Sequence, residues 1–370
     1  MKIGTVKEIK RYEYRVGLTP SNVKDYINHG HEVYVQNGAG AGASFSSEEY
    51  AAAGATILGT AKEVWDKCDM IIKVKEPLPD EYPHIREGQI VYTYLHLAAS
   101  RELTDAMLAS KCKGVAYETI EDTVGGLPLL RPMSEIAGKL SIQAGARCLE
   151  KAMGGRGVLL GGAVGVKKGE CVIIGGGVVG TAAMKMAIGL GANVTVLDKS
   201  IDRLTYLDDV FGSRIQTMYS TQAAIEEVLP TADLVVSAVL VPGAKAPKLI
   251  RRHHLKLMKP GAVIVDVAVD QGGCCETTTP TYHDAPTFVV DDIVHYCVAN
   301  MPGAVSQTST TALTNATLDY GIMIANMGLE AAIAKDTGLK LGVNCYHGKL
   351  TCKEVAEAFE MEYTPMDALV

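Results

Sequence analysis

The 370 residues contain no basic run. Lys and Arg number 35 against 42 Asp and Glu, a net charge of −7. Nothing in this balance favours nucleic acid or an anionic membrane as a partner. An anionic ligand must be met by charges placed locally rather than by a global field. Bilayer-spanning runs are also missing, since no window reaches about 18 uninterrupted apolar residues. The most apolar stretch, Ala312 to Ala334, carries Asn315, Asp319, Asn326 and Glu330 and reads as a buried helix. No apolar secretory segment opens the chain, where Met1-Lys2-Ile3-Gly4 leads into Lys7, Glu8, Lys10 and Arg11. Among nine cysteines, an odd count, there is no CxxC pair, and Cys274-Cys275 are adjacent. Adjacent thiols pair poorly, so free cysteines in the reducing cytoplasm are expected. The trio Cys345, His347 and Cys352 fits no common zinc spacing, and no metal is expected. Internal repeats and low-complexity segments are lacking too.

What is present is alternation. Strand-like runs near Lys2–Val6, Glu32–Gln36, Met70–Lys75, Ile90–Leu97 and Gly114–Glu118 are separated by helix-like runs such as Pro20–His29, Ser46–Ala53 and Arg101–Ala109. Pro20 after Thr19 suits a helix start, and Gly30 suits its end. Farther on, six short β-branched runs, Cys171–Ile174, Asn193–Leu197, Ile215–Tyr219, Leu234–Val239, Ala262–Val267 and Thr287–Val290, are mostly apolar on both faces. That pattern belongs to strands covered by helices on both sides, and six of them suit one complete doubly wound sheet. Helical patterns at Ser134–Met153 and Ser306–Thr337 flank the set. At roughly 100–200 residues per domain the length indicates two domains. The fold class read from this is α/β: a Rossmann-type doubly wound parallel sheet, residues 130–306, inserted into a discontinuous α/β substrate domain of residues 1–129 and 307–370.

The strongest motif is Gly175-Gly176-Gly177-Val178-Val179-Gly180. Alone a GxGxxG pattern is weak. Here a strand precedes it, a helix follows, and a second strand ends at Asp198, 18 residues after Gly180. Gly175 permits the tight turn, Gly177 lets backbone approach a pyrophosphate, and Gly180 lets helix pack on strand. The helix start at Val178 and Val179 then offers N–H groups to phosphate. Asp198 can accept both ribose hydroxyls and would repel a 2′-phosphate, which favours NAD over NADP. Arg203 complicates this; it is either a cofactor contact or a solvated helix residue pairing with Asp202 or Asp198. Ligands of open parallel sheets lie beyond the strands' carboxyl ends. Those ends place Ser220, Val239, Leu240, Val267, Ala268, Val269, Asp270, Val298, Ala299, Asn300 and Met301 in the candidate site. Asn300 is either a carboxamide contact or ordinary turn chemistry.

Oxidation of an amino or hydroxy acid needs a cation for the carboxylate and a proton-transfer group beside the reacting carbon. Arg15 lies between an extended run and a helix start, and guanidinium binds carboxylate bidentately. Lys75 ends the apolar run Met70–Val74 and reads as a snorkelling residue or a site cation. His96, within Tyr92–Leu97, reads as a core histidine or an acid/base. Asp270 faces the cofactor side or caps the turn Gln271-Gly272-Gly273.

Seven blocks in order resemble the bacterial alanine dehydrogenases: Glu13–Gly17, Lys73–Pro77, Tyr94–Ala98, Pro132–Gly138, Gly175–Gly180, Asp266–Gly273 and Tyr296–Gly303. The cofactor subunits of transhydrogenases share several. The resemblance covers essentially the whole chain. It implies reversible oxidative deamination of L-alanine by NAD, giving pyruvate and ammonium. It also implies Arg15 and Lys75 on the substrate carboxylate and carbonyl, His96 as general acid/base, Asp270 assisting proton movement, and Ser134 near the pyrophosphate. A homohexamer is implied as well. Some relatives carry arginine where this chain has Thr279, near the cofactor. The rival reading is a soluble NAD-binding subunit of a transhydrogenase; the retained set Arg15, Lys75 and His96 speaks for the dehydrogenase.

Overall fold

A computed structural model of the chain describes residues 1–239 and 246–370. It divides into two compact units, Met1–Met133 with Val305–Val370, and Ser134–Ala304. In chain order the strands of the first unit are β1 (Lys2–Thr5), β2 (Glu32–Gln36), β3 (Thr56–Leu58), β4 (Met70–Ile72), β5 (Ile90–Thr93) and β6 (Lys113–Ala116). The second unit holds β7 (Glu170–Ile174), β8 (Asn193–Asp198), β9 (Gln216–Tyr219), β10 (Leu234–Ser237), β11 (Val263–Asp266), β12 (Thr287–Val290) and β13 (Ile293–Tyr296). Two more, β14 (Val343–Tyr346) and β15 (Lys349–Leu350), return to the first unit.

The first sheet runs β15-β14-β6-β5-β4-β1-β2-β3, parallel from β6 to β3 with β14 and β15 antiparallel at the edge. Strand order reverses between β1 and β4, so both neighbouring carboxyl ends open onto a crevice there. Its core packs Trp65, Ile71, Val91, Leu95 and Met107, all fully buried. Helix Pro20–Asn28 starts as the sequence suggests. Thr19 caps it and exchanges hydrogen bonds with Asn22, and Gly30 follows its end at φ 84°.

The second sheet runs β12-β13-β11-β10-β7-β8-β9, parallel from β13 to β9. It reverses between β7 and β10, again a doubly wound order. The expected sixth strand, Thr287–Val290, is instead an antiparallel edge strand hydrogen-bonded to β13. The sixth parallel strand is Ile293–Tyr296, which lies within a run whose polar His295 broke the apolar pattern. His295 is nonetheless fully buried, with its ring nitrogens at 2.8 Å from Thr277 Oγ1 and 2.9 Å from the Ile293 carbonyl oxygen.

Strand expectations in the first unit ran too long, Gly114–Glu118 ending at Ala116 among them. Met70–Lys75 and Ile90–Leu97 end at Ile72 and Thr93, and the residues beyond leave the ladder. The long helical pattern Ser306–Thr337 is broken at Gly328 (φ 80°), giving helices Ser306–Met327 and Leu329–Lys335. Among the described residues no helix is long and apolar enough to cross a membrane.

Candidate active site

In the first unit the chain beyond β4 and β5 carries Lys75 and His96. Arg15 sits in the loop before Thr19 and is 2 % exposed. That loop lies hard against the end of β4, because a Cβ on Gly17 would stand 2.4 Å from the Ile72 carbonyl oxygen. Only glycine allows the approach. Glu13 orients the guanidinium through Nε and Nη2 at 2.7 and 2.6 Å, and Nη1 lies 3.0 Å from Met133 Sδ. Bidentate pairing of this kind fixes the plane of the cation as well as its position.

Lys75 is half-buried three residues past β4. Burial first, then the Arg15 and Lys10 cations, lowers the pKa of its ammonium. Its backbone is pinned from both sides. Glu8 Oε1 accepts from the N–H groups of Val74 and Lys75 at 2.7 and 3.2 Å, and Thr93 Oγ1 donates to the Lys75 carbonyl at 2.9 Å. Glu8 also meets the fully buried Lys73 at 3.1 Å, which reaches Glu81 at 2.8 Å. Burial raises the pKa of the Glu8 carboxyl, with Lys73 opposing.

His96 is not a core histidine. Its side chain is 43 % exposed. Its backbone is left-handed, φ 48° and ψ 38°. A non-glycine residue held there needs support from its surroundings. Glu118 supplies it, accepting from Leu95 N–H at 3.0 Å and His96 N–H at 2.5 Å. Glu76 Oε2 lies 3.5 Å from His96 Nδ1, and Lys10 pairs with Glu76 Oε1. A guanidinium, an ammonium, an imidazole and a fixed backbone are therefore found in one unit.

In the second unit the glycine turn joins β7 to helix Val178–Gly189. A Cβ on Gly180 would stand 1.8 Å from the Gly175 carbonyl oxygen, so helix meets strand here at glycine distance. At Gly177 no atom of the described residues lies within 4 Å of the Cβ position. Val178 is exposed and Val179 buried at the helix start. The turn thus offers open space beside a helix N-terminus, the arrangement a diphosphate needs.

Asp198 ends β8. Its two carboxylate oxygens accept from Gly176 N–H at 2.6 Å and Ser200 N–H at 2.8 Å, and each oxygen keeps lone-pair capacity for a further donor. Arg203 bonds to neither Asp202 nor Asp198. Nε donates to the Gly176 carbonyl at 2.6 Å and Nη2 to Thr181 Oγ1 at 2.5 Å, while the guanidinium lies over the Tyr206 ring at 4.8 Å. Asp198 and Arg203 together clamp both polar groups of Gly176.

Ser220 follows β9, buried, its N–H on the Asp198 carbonyl at 2.9 Å. Val239 lies just past β10 against the glycine turn, 2.9 Å from a Gly175 Cβ position. Leu240 lies outside the described residues. Val267, Ala268 and Val269 follow β11, and Asp270 is exposed within the single 3-10 turn Val269–Gln271. The buried Asp266 organises this loop, accepting from Ala268 N–H, Cys275 N–H and Thr278 Oγ1 at 3.2, 3.0 and 2.5 Å. Val298, Ala299, Asn300 and Met301 follow β13, with Ala299 N–H on the Thr281 carbonyl at 3.0 Å. Asn300 takes φ 60°, the left-handed turn position that asparagine tolerates. Ser134 lies in the first turn of helix Arg131–Cys148.

Sequence reasoning overlooked Glu8, Glu13, Glu76, Glu118 and Asp266. Acidic residues in mixed runs give no periodic signal. Their contacts in the fold reveal them, and the usable clue was acids set among residues that read as apolar strand ends.

The description "Alanine dehydrogenase/PNT, N-terminal domain" matches residues 4–137, and "Alanine dehydrogenase/PNT, C-terminal domain" matches residues 141–353. An alanine dehydrogenase of Halomonas elongata is 54 % identical over 370 residues, covering 100 % of both chains. One from Methanococcus maripaludis is 53 % identical, covering 99 % of each. A solved structure titled L-alanine dehydrogenase superposes with TM-score 0.95 at 51 % identity, covering 97 % of this chain and 99 % of that one. A transhydrogenase from Sinorhizobium meliloti superposes with TM-score 0.83 at 24 % identity over 95 % of this chain and 99 % of that one, a likeness of fold alone.

Proposed function

The chain belongs to the alanine dehydrogenase/PNT family, and from that premise we propose that it catalyses reversible oxidative deamination of L-alanine to pyruvate and ammonium with NAD. The observation that carries this reading is the buried Arg15 guanidinium, oriented by Glu13, in the same unit as the half-buried Lys75 ammonium, whose pKa is lowered first by burial and then by Arg15. Burial disfavours the charged form of the lysine, and the carboxylate of a small amino acid would supply an anion that favours it.

Arg15, oriented by Glu13, would bind that carboxylate. Lys75 would hold the oxygen that becomes the carbonyl, stabilising negative charge as it develops there. NAD, when bound, supplies the hydride acceptor. Gly175, Gly177, Val178, Val179 and Gly180 would hold its diphosphate with Ser134, and Asp198, beside Arg203, its adenosine ribose. Ser220, Val239, Leu240, Val267–Val269 and Val298–Met301 would complete its site.

Oxidation at the alanine carbon leaves a carbon to which water adds, and that water must lose a proton. Collapse to ketone and ammonium then needs a proton at nitrogen. His96 would carry both, since imidazole as a class exchanges protons near neutral pH. Asp270 would assist these transfers from the exposed turn. Cytoplasmic residence and a homohexamer are part of the same proposal; sedimentation of the purified protein tests the assembly.

The test is spectrophotometric: NADH appearance with L-alanine, then with glycine, L-serine and bulkier amino acids, and again with NADP replacing NAD. Highest kcat/KM is expected for L-alanine with NAD. No NADH from L-alanine, or equal use of NADP, overturns the reading.

A further inference from the structure

We propose that Glu76 is the positioning residue of His96, its carboxylate accepting a hydrogen bond from Nδ1–H so that Nε2 is the nitrogen that exchanges protons with substrate. The inference rests on the reading of His96 as the proton-transfer group.

Three observations carry it. First, Glu76 Oε2 is buried and makes no hydrogen bond among the described residues, while its other oxygen pairs with Lys10. The nearby ring nitrogen is His96 Nδ1 at 3.5 Å, just beyond hydrogen-bond length. An ionised oxygen buried without a donor is costly, and a small rotation of an exposed imidazole supplies the donor. Catalytic hydrogen bonds are often long before substrate binds and tighten afterwards.

Second, both ends of this contact are held rigidly by the backbone. Glu8 and Thr93 fix the peptides at Lys75, next to Glu76. Glu118 fixes the left-handed backbone of His96 through its N–H. One acid therefore holds the main chain of the histidine and the other is aimed at its ring. Third, the carboxylate stays charged. Burial raises its pKa, but His96 and Lys10 outweigh burial and bring the group down to about 2. A charged acceptor at one ring nitrogen decides which tautomer the neutral ring adopts and supports the imidazolium once it forms.

Other charged or titratable groups face this pair. Lys10 lies on Glu76, Tyr94 stands with its ring 5.8 Å from His96, and Glu118 sits on the His96 N–H. Lys75 and Tyr82 feel the Glu76 charge. Of these, Lys10 is the cation whose removal acts on the pair from outside, because its side chain is 41 % exposed.

The test is the pH dependence of kcat/KM for L-alanine with the full-length enzyme and four variants. Glu76→Gln should lower kcat by about tenfold or more and move the acidic limb to lower pH by about one unit, since the imidazolium loses its anion. KM for NAD should stay unchanged. Glu76→Asp should recover part of kcat. Lys10→Gln should move the limb the opposite way, by about half a unit, because a competing cation is gone. A profile for Glu76→Gln that superposes on that of the unaltered enzyme overturns the proposal, as do shifts of the same sign in Glu76→Gln and Lys10→Gln. If Glu76→Gln fails to bind NADH, Lys10→Gln decides: an upward shift supports the proposal and no shift overturns it. His96→Ala separates the two levels. Retained turnover there sinks the His96 reading itself. An inactive His96→Ala beside an unaltered Glu76→Gln sinks only the role of Glu76.

Discussion

Substituting alanine at Gly177 and at Gly180 separates a glycine turn that binds a dinucleotide from one that merely turns. At Gly180 the new methyl would sit 1.8 Å from the Gly175 carbonyl oxygen, where real Cβ contacts do not fall under 3.0 Å. Helix Val178–Gly189 must then move by about an ångström off β7, an overpacking that costs about 1–3 kcal/mol. For a unit of this size each kcal/mol lowers Tm by about 2–4 °C, so a fall of several degrees is expected, with loss of NADH binding. At Gly177 the methyl meets no atom of the described residues within 4 Å, and φ is −64°, outside the left-handed region that demands glycine. As a helix-capping position it costs a few tenths of a kcal/mol up to about one, so Tm should fall by no more than about 2–4 °C. The methyl nevertheless fills the space a diphosphate would occupy. NADH affinity should drop at least about tenfold, roughly 1.4 kcal/mol. Thermal melts and NADH fluorescence titration read the two quantities separately. A stable Gly177→Ala protein that binds NADH as tightly as the unaltered chain would refute the reasoning.

Replacing His96 by Ala, or Asp270 by Asn, should each lower kcat by about two orders of magnitude or more, within the range of acid–base groups; unchanged steady-state turnover in both removes the assignment. For Asp198→Ala the expected outcome is a raised KM for NAD and weaker discrimination against NADP, read from the ratio of kcat/KM values; an unchanged ratio shows that the ribose is held elsewhere. Glu76 also predicts a pH dependence of stability. Its folded carboxyl lies at about 2 against an ordinary 4.5, so its stabilisation, at most about 3 kcal/mol, is complete above about pH 4.5 and lost as pH falls through the folded value. Urea midpoints measured across that window should fall less steeply for Glu76→Gln; identical slopes count against the ion-pair network.

Much of the second unit was legible because its signals are local. The glycine spacing, the β-branched run before it and Asp198 at the next strand end all lie within thirty residues and obey one geometry. The first unit was harder. Lys75 and His96 read as parts of apolar strands because the runs continue through them, yet β4 and β5 stop at Ile72 and Thr93. Parallel pairing ends where neighbouring ends stop matching, and single-chain periodicity carries no record of that. The edge strand β12 was mistaken for the sixth parallel strand for the same reason, since its partner and direction are set across the sheet.

Residue pattern by itself determined the α/β class, the nucleotide-type turn and the resemblance that singled out Arg15, Lys75, His96 and Asp270. Only the tertiary structure decided which acids serve them. Glu13 on the guanidinium, Glu8 on the backbone of Lys75, and Glu76 and Glu118 on His96 are set by burial and by contacts across separate strands and loops. Charge pairing between residues distant in sequence leaves no periodic trace along the chain.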